Sequence, residues 1–347
     1  MESKTEKSRD SKKKTKGAFC NYPFTQLLLQ PTGVVSPCCW NQEIVLGKIP
    51  ENSLMEIWNG EKIQSLREEF LKGMPVSCAT QISHIGCHEW SQREEPWELD
   101  RDVIQKKGPQ RFDLRLNGRC NLECVMCDVW EQPNGLYNES DFWKEGPKTI
   151  FPHLREIDVL GGEPFIQQDT YRLIDEVQSS TDKCTWAFVT NAHYRFSDRI
   201  RSYLDRIDIR WMQVSLDSVN PETYAKVRKK GNLRLVLDTL DALLNYKSSR
   251  EMEGRGFRFV ASMCVQKENW KEVGSFLNFC QEKRMSPILQ FAYQPESESL
   301  LSASEDNILE TVNFFKKLTR IYGEHTISPV LLPIKEILES KVSSSIG

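Results

Sequence analysis

The chain has 347 residues, a formal net charge of −3 and 39% apolar residues. That is too long for one small domain, so two domains, or one large α/β domain with an appendage, are expected. The mild acidity argues against a global pull on nucleic acid, and no apolar run approaches the roughly 18 residues of a membrane span.

Residues 1–16 are polar and lysine-rich. They lack the apolar stretch of a secretory signal, so a disordered basic tail is expected; the competing reading is a patch that touches a nucleic acid or an acidic partner. Eleven cysteines without a signal segment point to a reducing, cytoplasmic setting. Clusters there are more often metal-binding or catalytic than disulfide-bonded. Cys184, Cys264 and Cys280 stand alone and read as small buried apolar residues.

From residue 17 to 108 the chain is turn-rich. "FTQLLLQPTGVVSPCCW" reads as a hairpin with a Pro-Thr-Gly turn, its second strand ending at Pro37. "NSLMEIWNGEKIQSLREEFLKG" reads as helix capped by Ser53, broken at "WNG" and stopped by Gly73 and Pro75. From Gln110 strands and helices alternate. Strands are expected at 111–116, 154–160, 184–190, 209–216, 257–265 and 286–293, with helical stretches between them, and this predicts a parallel sheet of βα units. Beyond Leu301, "NILETVNFFKKLTRIYG" and "IKEILESKV" read as two amphipathic helices. The expected divisions are a tail at 1–16, a cysteine-rich α+β unit at 17–108, a βα body at 109–300 and a helical extension at 301–347.

Such sheets put their sites at the carboxyl ends of the strands. "RCNLECVMC", which holds Cys120, Cys124 and Cys127, follows the first βα strand. "GGEP" (161–164) follows the second, "TNA" (190–192) ends the third and "SLDS" (215–218) ends the fourth. Structural zinc wants four protein ligands, often as two separated pairs, and this triplet supplies three. Three thiolates in one tight loop suit an iron–sulfur cube with one iron left open to a small molecule. The alternatives are zinc completed by Asp128 or a histidine, and a redox pair of Cys124 and Cys127; neither accounts for "GGEP" on the next strand.

The C-x3-C-x2-C loop followed by "GGEP" resembles the radical SAM superfamily over roughly Gln110 to Gln294, with Met126 where the family usually has an aromatic. The resemblance implies a partial (βα)6 TIM-like barrel. It also implies a [4Fe–4S] cluster on Cys120, Cys124 and Cys127, whose open iron chelates S-adenosylmethionine. Gly161, Gly162, Glu163 and Pro164 resemble the segment that receives the methionyl amino group, and Thr190 and Asn191 the segment lining the site. "SLDSVNPETYAKVRKKG" resembles the fourth-strand stretch: Ser215 would face the ribose, Arg228 the methionyl carboxylate, and Asp217 the substrate or its own loop. The implied chemistry is reductive cleavage to a 5′-deoxyadenosyl radical that abstracts hydrogen, fed by an electron donor such as flavodoxin or ferredoxin.

"C20NYPFTQLLLQPTGVVSPC38" and the helical stretch ending at Cys78 resemble SPASM and twitch auxiliary-cluster domains, here placed ahead of the barrel. Cys20, Cys38, Cys78 and Cys87 are the implied ligands of an auxiliary [4Fe–4S] cluster, and a zinc site is the alternative. Cys39 competes with Cys38, and His84 or His88 with the fourth ligand. Adjacent strand residues face opposite sides, so Cys38 and Cys39 should not reach one cluster together. Relatives of this type act on peptides, protein side chains or carbohydrate derivatives. Trp130, Tyr137, Phe142 and Trp143 read as a lid or as core. The competing function is a non-catalytic iron–sulfur or zinc protein that binds a partner through its tail or C-terminal helices.

Overall fold

A computed structural model describes residues 20–78 and 97–344. The basic tail, Cys87, His84 and His88 lie outside them. A short helix α1 (Tyr22–Thr25) leads into β1 (Gln26–Leu29), which turns into β2 (Val34–Ser36) and then β3 (Gly47–Lys48). The turn needs Gly33: its φ is +79°, and a Cβ there would sit 2.1 Å from the Ile49 carbonyl oxygen. Next come α2 (Leu54–Trp58) and α3 (Glu61–Leu71). Ser53 and Glu56 form a reciprocal capping box at the start of α2, and the break at Asn59 and Gly60 falls where "WNG" predicts it.

The body follows as β4 (Arg111–Leu114), β5 (Glu123–Cys124), α4 (Phe142–Thr149), β6 (Glu156–Val159), α5 (Gln168–Ser180), β7 (Thr185–Thr190), α6 (Asp198–Leu204), β8 (Asp208–Ser215), α7 (Pro221–Val227), β9 (Arg228–Lys229), α8 (Leu233–Met252), β10 (Arg258–Val265), α9 (Val273–Glu282) and β11 (Ser286–Phe291). The large sheet runs β11-β10-β8-β7-β6-β4-β1-β2-β3. The strands from β4 to β11 in it pair in parallel, each beside the next in sequence. This is the partial (βα)6 barrel. Its outer face is apolar: Phe112, Leu114, Ile157, Trp186, Phe188, Met212 and Val214 are all fully buried, as period-2 alternation requires.

The opposite face is charged. Arg111 donates to Glu156 at 2.8 Å, and both are nearly inaccessible. Arg210 bonds Asp158 at 2.5 Å and lies 3.6 Å from Glu156. The barrel interior is therefore laced with ion pairs rather than filled by branched aliphatics.

Two features depart from the sequence reading. The hairpin is not a separate sheet: β1 pairs in parallel with β4, from Gln26 beside Arg111 to Leu29 beside Leu114. The C-terminal pair is α10 (Glu305–Tyr322) and α11 (Glu324–Ser344); the second begins well before "IKEILESKV" and contains Pro329 and Pro333. Each proline removes a helix donor, but Ile327, Val330, Leu331 and Ile334 form a buried stripe at helical spacing that outweighs the loss. No helix among the described residues is long and apolar enough to cross a membrane.

Arg67 fastens the N-terminal segment internally. It is fully buried, donates to the carbonyls of Pro23, Val103 and Trp58 at 2.7–2.8 Å, and lies over the Trp58 ring. Arg67→Met is expected to strand three buried acceptors and lower stability by about 3 kcal/mol, read by urea denaturation of the full chain.

Candidate active site

The strand ends open onto a cavity of ≈520 Å³. Cys120, Cys124, Met126 and Cys127 line it on one side. Their loop is clamped from two directions. The ribbon β5–β9 pairs Cys124 with Arg228 and Glu123 with Lys229, and the Val125 N–H bonds the Val227 carbonyl at 3.0 Å. On the other flank the Gly162 N–H donates to the Asn117 carbonyl and the Glu163 N–H to the Arg119 carbonyl. A Cβ on Gly162 would lie 2.0 Å from the Arg119 carbonyl oxygen. The second glycine of "GGEP" is thus needed for backbone contact with the cysteine loop. Gly161, at φ +104°, sits where L side chains are strained.

Glu163 is fully buried and outside the cavity lining, as is Pro164. One carboxylate oxygen of Glu163 accepts from the Phe165 N–H at 3.1 Å and the Thr190 hydroxyl at 2.8 Å. The other accepts from the Asn191 N–H at 2.7 Å. Burial pushes this carboxyl up to about 7, against the pull of those three donors. Asn191 in turn donates to the Cys120 sulfur at 3.6 Å and to Asn121 at 2.9 Å. Thr190, Asn191 and Ser215 line the cavity, as do Gly161 and Gly162.

Arg228 is nearly buried. It makes an ion pair with Asp217 at 2.8 Å and directs an N–H at the Cys124 sulfur, 3.6 Å away. Its Nε–H is buried with no hydrogen-bond partner. Asp217 holds φ +61° and accepts from the Cys264 N–H at 2.7 Å, which fixes the loop after β8. Burial pushes the Cys120 and Cys127 thiols up, and Cys124 to about 11 even with Arg228 lowering it. Such thiols become thiolates when a metal takes them. N–H donors aimed at two of the sulfurs, with one guanidinium N–H still open, suit an anionic thiolate cluster and a carboxylate-bearing ligand.

Cys20 and Cys78 pack against one apolar group of Phe24, Leu66 and Phe70. The Asn41 amide donates to the Cys78 sulfur at 3.5 Å. Cys38 is buried and sits close enough to Cys20 for the two thiols to interact. Cys39 is turned the other way, into the barrel cavity beside Tyr22, Gln26 and Trp40. Trp130 also lines the cavity, whereas Tyr137, Phe142 and Trp143 are core.

Sequence reasoning missed Asp113, Arg115, Asp158, Gln213 and Gln290, all in the cavity wall. The signal was present: "RFDLR" and "EID" put charge at every second position of strands expected to be buried. Asp113 is 8% exposed, and burial pushes its carboxyl from 3.8 up to about 6.

Two family models match: the radical SAM superfamily over residues 114–280 and an iron-sulfur cluster-binding domain, SPASM, over 20–80. A GTP 3′,8-cyclase of Petrotoga mobilis is 25% identical over 228 residues, covering 62% of this chain and 65% of that protein. One of Hydrogenovibrio crunogenus is 30% identical over 135 residues, 37% of this chain and 40% of that one. This chain therefore matches less than two thirds of the length of either relative. Among solved structures, Streptococcus suis SuiB bound to precursor peptide SuiA aligns with TM-score 0.43 and 12% identity, covering 87% of this chain and 70% of that one. The structure of anSMEcpe with bound AdoMet aligns with TM-score 0.44 and 14% identity, covering 62% and 61%.

Two outcomes are expected. Gly162→Ala should push the cysteine loop off its backbone contact and lower the iron retained per chain, measured after anaerobic reconstitution. Asp113→Asn should remove a buried charge. Because the folded pKa is raised, the wild type loses stability as pH climbs from 3.8 through 6. The variant should therefore gain on it across that window by up to about 3 kcal/mol, read by denaturation at several pH values.

Proposed function

We propose, for a chain that belongs to the radical SAM superfamily and carries a SPASM iron–sulfur cluster-binding domain ahead of its barrel, that the cavity at the strand ends is where S-adenosylmethionine is cleaved and a substrate loses a hydrogen atom. The cofactors of these two domains are [4Fe–4S] clusters and S-adenosylmethionine. When bound, they supply a carbon-centred radical able to attack an unactivated C–H bond.

The residues support this reading as follows. Cys120, Cys124 and Cys127 are the proposed ligands of the cavity cluster. Asn191 and Arg228 donate to the sulfurs and offset their charge. Gly161 and Gly162 bring backbone to the cavity wall without side chains. Ser215 and Thr190 offer hydroxyls there, and Met126 offers an apolar surface. Arg228 supplies the positive charge for a methionyl carboxylate. Asp217 keeps Arg228 in place. In the N-terminal segment, Cys20, Cys38 and Cys78 with Cys87 are the proposed ligands of the second cluster. Cys39, turned into the barrel cavity, is not one of them.

The observation that carries the proposal is the opening of the cysteine triplet onto a cavity whose other walls belong to the "GGEP", "TNA" and "SLDS" segments. Substrate would enter the same cavity, beside Tyr22, Cys39 and Trp40 of the N-terminal hairpin. A small molecule such as a nucleotide or carbohydrate derivative, or a peptide side chain, is the proposed class. An electron donor of the flavodoxin or ferredoxin kind would feed the site.

The test is anaerobic. The chain is reconstituted with iron and sulfide, reduced with dithionite and given S-adenosylmethionine, and 5′-deoxyadenosine is measured. Product is expected from the wild type and should disappear in Cys120→Ala. Absence of cleavage, with zinc rather than iron bound, would replace this reading by a structural metal protein.

A further inference from the structure

The cavity also has charged wall residues that no step above uses. Asp113 ends its side chain there from β4, and Arg115 follows just beyond the strand. Asp113 is 8% exposed, and it faces the Arg115 guanidinium in a loose ion pair. Their closest atoms, Asp113 Oδ1 and Arg115 Nε, stand 3.7 Å apart, too far for a hydrogen bond; both atoms are buried without a hydrogen-bond partner.

The neighbouring pairs are closer, although Arg210 Nε is likewise buried without a hydrogen-bond partner. Arg111 closes on Glu156 at 2.8 Å and Arg210 on Asp158 at 2.5 Å. A buried polar group left without hydrogen bonds costs stability, so a pair needed only for the fold would be expected to close like these. Six charges carried by β4, β6, β8 and the residue just beyond β4 also cancel: Arg111, Arg115 and Arg210 against Asp113, Glu156 and Asp158. A ligand group of net charge would add an uncompensated charge to this wall. A neutral group with an N–H beside a C=O would satisfy both open partners.

We propose that Asp113 and Arg115 are specificity-determining residues that hold an amide or lactam edge of the substrate. The N–H donates to the Asp113 carboxylate, and the C=O accepts from the Arg115 guanidinium. This rests on the reading of the cavity as the substrate chamber. The edge has two sources: the ring lactam of a guanine base, or the amide of a peptide or carboxamide side chain.

The experiment is equilibrium dialysis with the full-length, iron- and sulfide-reconstituted chain. The probes are GTP, 1-methyl-GTP, in which the ring N–H is blocked, and a capped Gly-Gln-Gly peptide. S-adenosylmethionine is measured in parallel. GTP or the peptide is expected to bind saturably. Asp113→Asn and Arg115→Met should each weaken that probe by about tenfold, with S-adenosylmethionine affinity unchanged as proof of folding. If GTP is the probe that binds, 1-methyl-GTP should be weakened as much as by Asp113→Asn; if only the peptide binds, the edge is a peptide amide. Equal binding by wild type and both variants overturns the proposal. So does the absence of binding by either probe to a chain that still binds S-adenosylmethionine. A chain that does not bind S-adenosylmethionine at all overturns the reading of the cavity itself, and the proposal with it.

Discussion

The site is organised by one buried carboxylate. Glu163 accepts from Phe165, Thr190 and Asn191, so the loop after β6 and the end of β7 cannot separate without leaving a charge or three donors unsatisfied in the interior. Asn191 carries the constraint on to Cys120 and Asn121. The backbone contact of Gly162 with Arg119 fixes the same loop from the other flank. The cysteine loop is therefore placed by hydrogen bonds to neighbouring loops as well as by its own Cys127 N–H to Cys124 carbonyl bond. Such contacts hold the loop in one conformation through its neighbours.

Much of the fold was legible because its signals are local. Each barrel strand is a short apolar or alternating run between turn residues, and the Ser53 cap and "WNG" break announce α2 and α3. The pairing of β1 with β4 was not legible. It joins residues more than eighty positions apart, and nothing in "TQLLL" says which edge it will meet. The start of α11 was missed for another reason: Pro329 and Pro333 argue against a helix locally, while the buried stripe that overrides them acts through tertiary packing. In the site, the motif residues were legible as a set, but the direction of Glu163 was not. Sequence places it in the "GGEP" segment; only the packed loops show that its side chain turns inward, away from the cavity.

The charged interior and the Cys38–Cys39 pair belong to one design. Barrel residues that point inward meet a chamber that needs polar walls, so arginines and acids replace the aliphatics that usually fill such a centre. The hairpin then presents its two adjacent thiols to different surroundings, Cys38 beside Cys20 and Cys39 into the barrel. A single peptide bond thus separates the N-terminal cysteine group from the cavity. Cys38 and Cys39 are covalent neighbours that face different parts of the molecule.

The parallel pairing of β1 with β4 has a consequence for how the chain can be divided. A six-stranded open barrel leaves two unpaired edges, and such an edge is a template for pairing with other chains. Here β1 occupies the one at β4, and α11 packs against β11 at the other. The flanking segments act as stoppers for the barrel as well as additions to it. Cutting the chain at the composition change near Gln110 would free the β4 edge and invite self-association, so the barrel and its N-terminal hairpin are best treated as a single unit of expression.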